Sequence, residues 1–597
     1  MKSSAPTNCL WGKLIFLGTW ASLALGLLAA TWLFYANDYA SFTDLILEYV
    51  QKVDWKNYFQ KQVFPIERFS LSRSLLLGGW GFLVAYAFIL YKKIDDWATS
   101  LCQFTKWGKQ SLQQQFRAIG EESKLEKTLF YSLLGILAIQ GLFNIYSYEL
   151  QYDEVWTYNH FVSKGILVSI GSPNNNHIFY TLLASIIDWL PIGAKYTMRL
   201  PSYIGGLLLS TLFYLFIQSK FNYRIALVVL AYFAFSPPVN TYMLYARGYI
   251  WMMFFALGAL WAGLKVLKTP QINNFWIVYI LTNCLGVYSN PVYLFHFILL
   301  NPFILISYIS SSKWAAVSQW FKANVFIAVI LIVLHAPLLA TNGLSFLTNA
   351  ASTSPINDFS VFWLYINRVA DWWWWGQGVY LYWIVLLLVI LLIIVLVRFW
   401  KKQHIRHLTL LSLGYILMPT LLYSFLGNET PYRAWCFVII YIAIALTLVL
   451  YLLEPYIKWT GPKLITAMLV LSICTTYSAW QHYFINWSGE IDLEAKKIAK
   501  QLQKLEADEV YSFSRYNKPL LQFYYLTKGE SLKVYMPFSK SKDYLDFGSR
   551  AFDAVIWEKD SAVYIPTAQE EQILKANNYK KVYENNQIIL YYGVPQS

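Results

Sequence analysis

The sequence predicts a polytopic α-helical membrane protein that carries a small C-terminal domain of mixed helices and strands. Hydrophobic residues make up 57% of the 597 positions and charged residues only 13%. Apolar runs of about 17 to 25 residues recur along the chain, which is the length an α-helix needs to cross a hydrocarbon core of roughly 30 Å. The 26 Trp and 46 Tyr residues suit the two membrane interfaces, where amphipathic rings lie at headgroup level. The formal charge of +14 is interpreted as basic loops facing anionic membrane lipids, and no nucleic-acid partner is predicted.

About thirteen apolar segments are predicted to cross the membrane. The first follows Lys2 and Lys13 and is longer than the apolar region of a signal peptide, so it is interpreted as a retained signal anchor. The segment 177–190 is shorter, contains Asp188 and ends at Pro191, which favours an interfacial helix over a span. The predicted spans are 12–35, 74–91, 128–147, 199–218, 225–240, 249–267, 274–289, 291–309, 323–341, 379–398, 408–427, 432–453 and 463–484.

The distribution of basic residues sets the predicted orientation. The loop 92–127 contains seven Lys and Arg residues, so the positive-inside rule places it in the cytoplasm. If 177–190 does not cross, the other short basic connections also face the cytoplasm, whereas a crossing would put all of them outside. We therefore predict a protein of the inner or plasma membrane with a cytoplasmic N-terminus and a non-cytoplasmic C-terminus. The polar segments that then share the non-cytoplasmic face are 148–198, 241–248, 342–378 and 427–433.

The composition changes near residue 485, where a non-cytoplasmic α/β domain of about 110 residues is predicted. The stretch 491–509 has the apolar periodicity of an amphipathic helix, and four short β-rich runs follow it. A second helix is predicted to open at Thr567, with Glu570 placed for a capping box. No Gly-rich nucleotide-binding loop occurs in this region. The predicted units are N-terminal spans with a cytoplasmic loop (1–127), a transmembrane catalytic domain (128–484) and a soluble domain (485–597).

Charged residues collect at the predicted non-cytoplasmic ends of the spans. Asp153 and Glu154 follow the third span, and Arg199, Arg247 and Arg433 lie at the ends of later ones. Ion-coupled transporters carry charged residues inside their spans, but the span interiors here are nearly free of Asp, Glu, Lys and Arg. The pattern favours an enzyme that uses one membrane-anchored substrate and one substrate from outside.

Four motifs occur in a characteristic order along this part of the chain. They are the acidic pair Asp153 and Glu154 just after a span, then SPNNNHIFYTLL, MRLPSYIGGLLLSTLFYLF and SPPVNTYMLYARGYIWMMFF. In their order and spacing they resemble the GT-C glycosyltransferases of the protein mannosyltransferase and lipid A aminoarabinose transferase type. The resemblance covers residues 128–267 well and the later spans and tail loosely. It implies transfer of a hexosyl or pentosyl group from a polyprenyl-phosphate carrier to a lipid, glycan or protein acceptor on the non-cytoplasmic face.

The resemblance also implies roles for individual residues. Asp153 matches the family's acidic pair and is predicted to be the general base for the acceptor hydroxyl, although a charge marking the membrane interface is the alternative. Glu154 would orient the acceptor or a metal ion, or would simply be solvated. Asn176 and His177 stand where the family has a His-Pro-Pro-like motif, and together with Tyr158 they are the predicted substrate-binding residues. The alternative for His177 is that it simply caps the interfacial helix. No specific cofactor is predicted, and the sequence leaves open whether the reaction uses a divalent metal ion.

Cationic side chains are predicted to bind the phosphate of the donor. A guanidinium offers planar, bidentate donors and keeps its charge when it is partly desolvated. The candidates are Arg247, Arg433, Arg199 and Lys195. The alternative is that these long side chains extend to lipid headgroups, as Arg and Lys commonly do at membrane interfaces.

Two other functions fit the same sequence features. A flippase or transporter of lipid-linked sugars would also place charges at span ends, and uncharged span interiors do not argue against flipping. A polymerase or ligase of surface polysaccharide would use a similar lipid-linked donor but would transfer a whole glycan.

Overall fold

The helices dominate the architecture, as the hydropathy predicts. In this computed structural model the helices are Leu10–Ala36, Tyr39–Tyr49, Lys56–Tyr58, Ile66–Ala118, Lys124–Ser147, Tyr152–His160, Ile166–Gly171, Ile178–Ile187, Ala194–Gln218, Tyr223–Phe235, Pro237–Leu244, Tyr249–Lys268, Asn273–Ser289, Tyr293–Ile309, Trp314–Asn342, Leu381–Arg398, Gln403–Leu426, Val438–Leu453, Gly461–Ala479, Glu490–Lys504, Asn517–Leu526 and Ala568–Ala576. The structure describes residues 10–49, 56–121, 123–171, 176–342, 354–355, 381–426, 428–429, 432–481, 490–513, 517–536, 547, 551–559, 568–584 and 588–593.

Each of the thirteen predicted spans overlaps a described helix. In the described part of the chain, nine helices are long and apolar enough to cross a membrane. A tenth span is broken into Tyr223–Phe235 and Pro237–Leu244, which meet at an angle of 54°. The remaining three predicted spans correspond to Tyr293–Ile309 and Asn273–Ser289, of 17 residues each, and to Leu381–Arg398. Tyr293–Ile309 and the part of the last helix from Trp383 onwards are clearly apolar.

The break in the tenth span has a direct cause in the sequence. Pro237 and Pro238 lack the backbone N–H groups that would continue the first helix, and a proline fits well in the first turn of a new one. The second helix is therefore redirected, and the residues after it, Tyr245–Gly248, reach Asp153 and Glu154. Hydropathy predicted one continuous span over 225–240, so the bend differs from the prediction, and it brings Tyr245 to the site.

The predicted interfacial helix is a helix of ten residues, Ile178–Ile187. At 1.5 Å per residue it is about 15 Å long, half of what a span needs. Large apolar side chains at its end are exposed, including Trp189, which is 86% exposed. An exposed Trp beside Leu190 and Ile192 is what a helix lying in the headgroup region presents to lipid.

The predicted cytoplasmic loop 92–127 is largely helical, because the helix Ile66–Ala118 continues without interruption from its apolar part into its basic part. Over 53 residues it is about 80 Å long, far more than a membrane crossing. It packs against Leu10–Ala36, with an ion pair between Lys13 and Asp95 near one end.

The C-terminal domain contains a mixed sheet of five strands. In spatial order the strands are Lys533–Tyr535, Glu509–Ser512, Ala554–Glu558, Ile588–Gly593 and Tyr579–Glu584. The first three are parallel and the remaining pairs are antiparallel. The amphipathic helix Glu490–Lys504 covers one face of the sheet with Ile498 and Leu502, both fully buried. The predicted α/β character is confirmed, but the helix Asn517–Leu526 was not foreseen.

Candidate active site

The acidic residues lie in the first turn of a short helix, Tyr152–His160 (the acidic helix). The Glu154 carboxylate turns back and accepts a hydrogen bond from the Gln151 backbone N–H at 2.7 Å, which caps the helix. Successive side chains on a helix diverge by about 100°, so the neighbouring Asp153 must point elsewhere. Glu154 is fully buried, whereas the Asp153 side chain is 20% exposed. The two adjacent carboxylates therefore have different environments.

The Glu154 side chain forms a buried ion pair with Arg199. The guanidinium donates from Nε to Oε1 at 3.0 Å and from Nη2 to Oε2 at 2.8 Å, and neither side chain is exposed. Arg199 also donates to the backbone carbonyl oxygens of Tyr148 and Glu149. The Ala246 backbone N–H completes the shell of Glu154 at 2.8 Å. This pair ties the acidic helix to the helix Ala194–Gln218 and to the chain that follows the broken span.

The Asp153 carboxylate faces a different pair of groups. Its Oδ2 accepts a hydrogen bond from the Tyr245 hydroxyl at 3.1 Å and lies 3.6 Å from Nη1 of Arg433. Burial, together with the neighbouring Asp153 charge, raises the pKa of Tyr245 well above its usual value. The phenol therefore stays protonated and acts as the hydrogen-bond donor to Asp153. Arg433 is 42% exposed, which leaves its guanidinium within reach of a ligand.

Arg247 lies beneath the acidic helix and is fully buried. Its Nη1 donates to the backbone carbonyl oxygen of Asp153 at 3.3 Å and to Oγ1 of Thr157 at 3.2 Å. Its own backbone carbonyl accepts a hydrogen bond from the Ser202 hydroxyl at 3.2 Å. Arg247 thus brings a second positive charge to the same place as Asp153 and Arg433.

His177 lies just before the interfacial helix, and its ring packs 4.8 Å from that of Tyr249. Its Nδ1 is 3.2 Å from the backbone carbonyl oxygen of Ser289. Because a carbonyl only accepts, Nδ1 carries the proton and Nε2 is left as an acceptor. Burial and the charges of Arg247 and Arg433 lower the pKa of His177 well below its ordinary value, so the ring is neutral at physiological pH.

The close approach of His177 to Ser289 depends on Gly248. A Cβ at position 248 would lie 2.4 Å from the Ser289 carbonyl oxygen and 2.9 Å from the His177 Cβ. Backbone atoms cannot move aside as a flexible side chain can, so an alanine forces the three segments apart. Gly248 therefore allows the YARG turn to lie directly against His177 and Ser289.

Gly248→Ala is expected to destabilise the protein by about 1–3 kcal/mol, the usual cost of overpacking, and to lower activity because it displaces His177. The control is Gly135→Ala, since a Cβ at Gly135 would meet nothing within 4 Å. Thermal unfolding in detergent compares the two variants. An unchanged melting temperature for Gly248→Ala would contradict the contact.

The other predicted site residues lie around this centre with their side chains engaged by the protein. The Asn176 side chain donates to the Ser169 carbonyl and accepts from the Thr181 hydroxyl at 2.8 Å. Lys195 donates to the Tyr146 carbonyl oxygen at 2.8 Å. Tyr158 faces the C-terminal domain, and burial with Asp188 alongside raises its pKa to about 12. The structure thus brings together Asp153, Arg247, Arg433 and His177, whereas Asn176, Lys195 and Tyr158 contact other parts of the protein around them.

Two tyrosines of this centre were not predicted from the sequence. Tyr245 and Tyr249 flank Arg247 in the motif YARGY, and one contacts Asp153 while the other contacts His177. Tyrosine is also the residue expected in any interfacial belt, so its presence at a span end carried no specific signal.

No cluster of metal-ligand type is present among the described residues, where no three His, Cys, Asp or Glu side chains lie close enough to hold an ion. The Glu154 carboxylate is already paired with Arg199. Positive charge at the centre comes from the Arg247 and Arg433 guanidinium groups.

Comparison with solved structures identifies the architecture. The chain is similar to ArnT from Cupriavidus metallidurans in the apo state, with a TM-score of 0.54 and 10% identity, over 78% of this chain and 98% of ArnT. ArnT bound to undecaprenyl phosphate gives a TM-score of 0.51 and 11% identity over the same shares. The chain has the GT-C fold. The GT-C architecture confirms the fold class predicted from the motif order.

A more distant match is the archaeal oligosaccharyltransferase AglB from Archaeoglobus fulgidus, solved with an inhibitory peptide and a dolichol-phosphate. It has a TM-score of 0.40 and 14% identity, over 67% of this chain and 64% of AglB. No protein-family model matches the chain, and no curated protein matches it in sequence.

Proposed function

We propose that the protein is a membrane glycosyltransferase that moves a sugar from a polyprenyl-phosphate donor to an acceptor hydroxyl on the non-cytoplasmic face. The observation that carries the proposal is the pairing of Asp153 with Arg433 beside Tyr245, at the surface end of the spans. A partly exposed carboxylate next to an accessible guanidinium supplies both groups that the reaction needs. One accepts a proton and the other binds a leaving phosphate.

In the proposed reaction the acceptor oxygen attacks the anomeric carbon of the donor sugar. A new C–O bond forms, the bond between the anomeric carbon and the phosphate oxygen breaks, and the polyprenyl phosphate leaves. The acceptor proton goes to the Asp153 carboxylate. The Tyr245 hydroxyl, which donates to Oδ2, holds that carboxylate in one orientation and leaves Oδ1 for the acceptor.

The surroundings of the cations support different roles for them. Arg433 is the more accessible of the two central guanidinium groups, and we assign it the phosphate contact. Arg247 adds charge from below while it holds the Asp153 backbone. Arg199 and Lys195 remain candidates by prediction only. The contacts of Arg199 with Glu154 and two carbonyl groups support a positioning role for it.

The positive-inside distribution supports a non-cytoplasmic site. The hydrogen bond that Asn159 of the acidic helix donates to the Pro519 carbonyl oxygen, at 2.8 Å, supports a position of the C-terminal domain on the same side of the membrane as Asp153. The strand Ser354–Pro355 pairs with Asn428–Glu429, which joins two more of the polar segments predicted to share that face. The undecaprenyl phosphate bound to the ArnT structure is consistent with a lipid phosphate as the donor carrier.

The deciding experiment uses purified protein in nanodiscs with polyprenyl-phosphate monosaccharides that carry a radiolabelled sugar. Transfer of the single labelled sugar to an acceptor supports the proposal. Movement of the intact donor across the bilayer without bond cleavage would indicate a flippase. Transfer of a preassembled glycan but of no monosaccharide would indicate a polymerase or ligase.

Arg433→Ala is expected to lower kcat/KM for the donor by about 10²- to 10³-fold, the usual loss when a cationic or oxyanion contact is removed. Arg433→Lys should retain part of the activity, because an ammonium keeps the charge but not the bidentate geometry. Arg398→Ala, which removes the same charge from an exposed position at another span end, is the control. If both Arg433 variants had wild-type kinetics, Arg433 would not bind the donor phosphate, and its role would be limited to contact with lipid headgroups.

A further inference from the structure

We propose that the C-terminal domain holds the acidic helix in its working position, with Asn159 and Lys496 as positioning residues. This inference rests on the proposed role of Asp153. The acidic helix has only nine residues, and an isolated helix of that length is marginal in water. Its orientation must therefore come from its contacts, and contacts with the C-terminal domain lie at or near both of its ends.

At the C-terminal end of the acidic helix, Asn159 reaches into the C-terminal domain. Its Nδ2 donates to the Pro519 carbonyl oxygen at 2.8 Å, although the two residues are 360 positions apart. The preceding residue, Tyr158, packs edge-to-face on Phe523 with ring centroids 5.3 Å apart. The helix Asn517–Leu526 thus lies against this end of the acidic helix.

Before the acidic helix begins, Glu149 bonds to the same domain. Lys496 donates to Oε1 of Glu149 at 2.6 Å, and Lys195 lies 3.6 Å from the same oxygen. Burial alone would raise the pKa of Glu149, but the Lys496 hydrogen bond and the charges of Lys195 and Arg199 hold it below its usual value. Glu149 therefore stays ionised and keeps the ion pair.

The hydrogen bonding of Asn159 supports a positioning role for this residue. It is 9% exposed, and its Oδ1 is buried with no hydrogen-bond partner in the described part of the chain. An apolar side chain of similar size would avoid the desolvation cost of that oxygen. The amide is explained if its function is to fix the register between the acidic helix and the C-terminal domain.

Asp153 lies between these two connections. A small rotation of the acidic helix would move its carboxylate away from Tyr245 and Arg433, whereas the Arg247 and Arg433 side chains come from other elements and would stay. Misplacement of a reacting group by about 1 Å can cost on the order of 10²-fold in rate. Loss of the connections should therefore lower kcat more than it changes donor KM.

The test compares Asn159→Leu and Lys496→Met with Lys500→Met, which removes the same charge from an exposed position on the same helix. Hydrogen exchange of the amides in 152–160 is measured in nanodiscs, and sugar transfer is measured alongside it. We expect exchange to become severalfold faster and kcat to fall about tenfold with donor KM unchanged, for Asn159→Leu most of all. Lys500→Met should behave like the wild type.

Combination with Asp153→Asn separates positioning from a general defect. If the connections act through Asp153, Asn159→Leu causes no further loss of turnover in the Asp153→Asn background. A further loss of the same size there would overturn the inference, as would unchanged exchange in both single variants. Lys496→Met keeps the test valid if Asn159→Leu fails to fold. The two readouts also separate this inference from the proposed function. If the variants exchange faster but the wild type transfers no sugar, the connection between the two segments stands and the proposed function is refuted.

Discussion

Asp153→Asn is expected to lower the turnover of sugar transfer by about 10²- to 10⁴-fold, the usual contribution of a positioned base, while the protein still inserts and folds. An amide has the size and polarity of the carboxylate, and its oxygen can still accept the Tyr245 hydrogen bond. It cannot take up the acceptor proton. Donor binding should survive, because the phosphate is assigned to Arg433 with Arg247 behind it.

The measurement pairs sugar transfer with donor binding for the variant in detergent or nanodiscs. Asp508→Asn, at an exposed carboxylate of the C-terminal domain, is the matched control and should transfer sugar normally. Near-normal turnover of Asp153→Asn would refute the assignment of the base. Loss of binding together with turnover would show instead that the carboxylate organises the donor site through Arg433.

Glu154→Gln is expected to act through stability, by about 3–5 kcal/mol. The substitution leaves the fully buried Arg199 guanidinium without its charged partner, and a buried ion pair broken on one side costs about that much. Thermal unfolding of the purified variant, and its yield in membranes, report the effect directly. Sugar transfer should fall in proportion to the folded protein that remains.

A double variant separates this explanation from a catalytic role for Glu154. Adding Arg199→Met removes the unpaired charge, so Glu154→Gln with Arg199→Met should be less destabilised than the sum of the two single changes. A Glu154→Gln protein that unfolds like the wild type but transfers no sugar would move the base from Asp153 to its neighbour.

The two adjacent carboxylates show where sequence-based prediction stops. Both were candidates for catalysis, because both follow a span and match the acidic pair of the GT-C family. Only the fold turns Glu154 inward onto Arg199 and leaves Asp153 beside Arg433. The partners lie in distant parts of the chain, and no local pattern indicates which carboxylate each guanidinium will meet.

What the sequence alone determined is the set of properties that depend on neighbouring residues. Hydropathy located the long apolar helices, the short run at 177–190 predicted a helix too short to span a membrane, and the change of composition near residue 485 predicted the α/β domain. These predictions succeed because a helix that crosses a hydrocarbon core needs a continuous apolar stretch of a certain length, and because helices and strands have fixed periods of side-chain direction.

The tertiary structure decided the properties that depend on which distant segments of the chain come into contact. It bends the broken span at Pro237 so that Tyr245 reaches Asp153, it allows His177 to approach Ser289 across Gly248, and it lays the C-terminal domain against the acidic helix. Each of these is a contact between segments far apart in the chain. Such contacts are set by how whole helices pack. The sequence could therefore identify the candidate residues but not which of them contact each other.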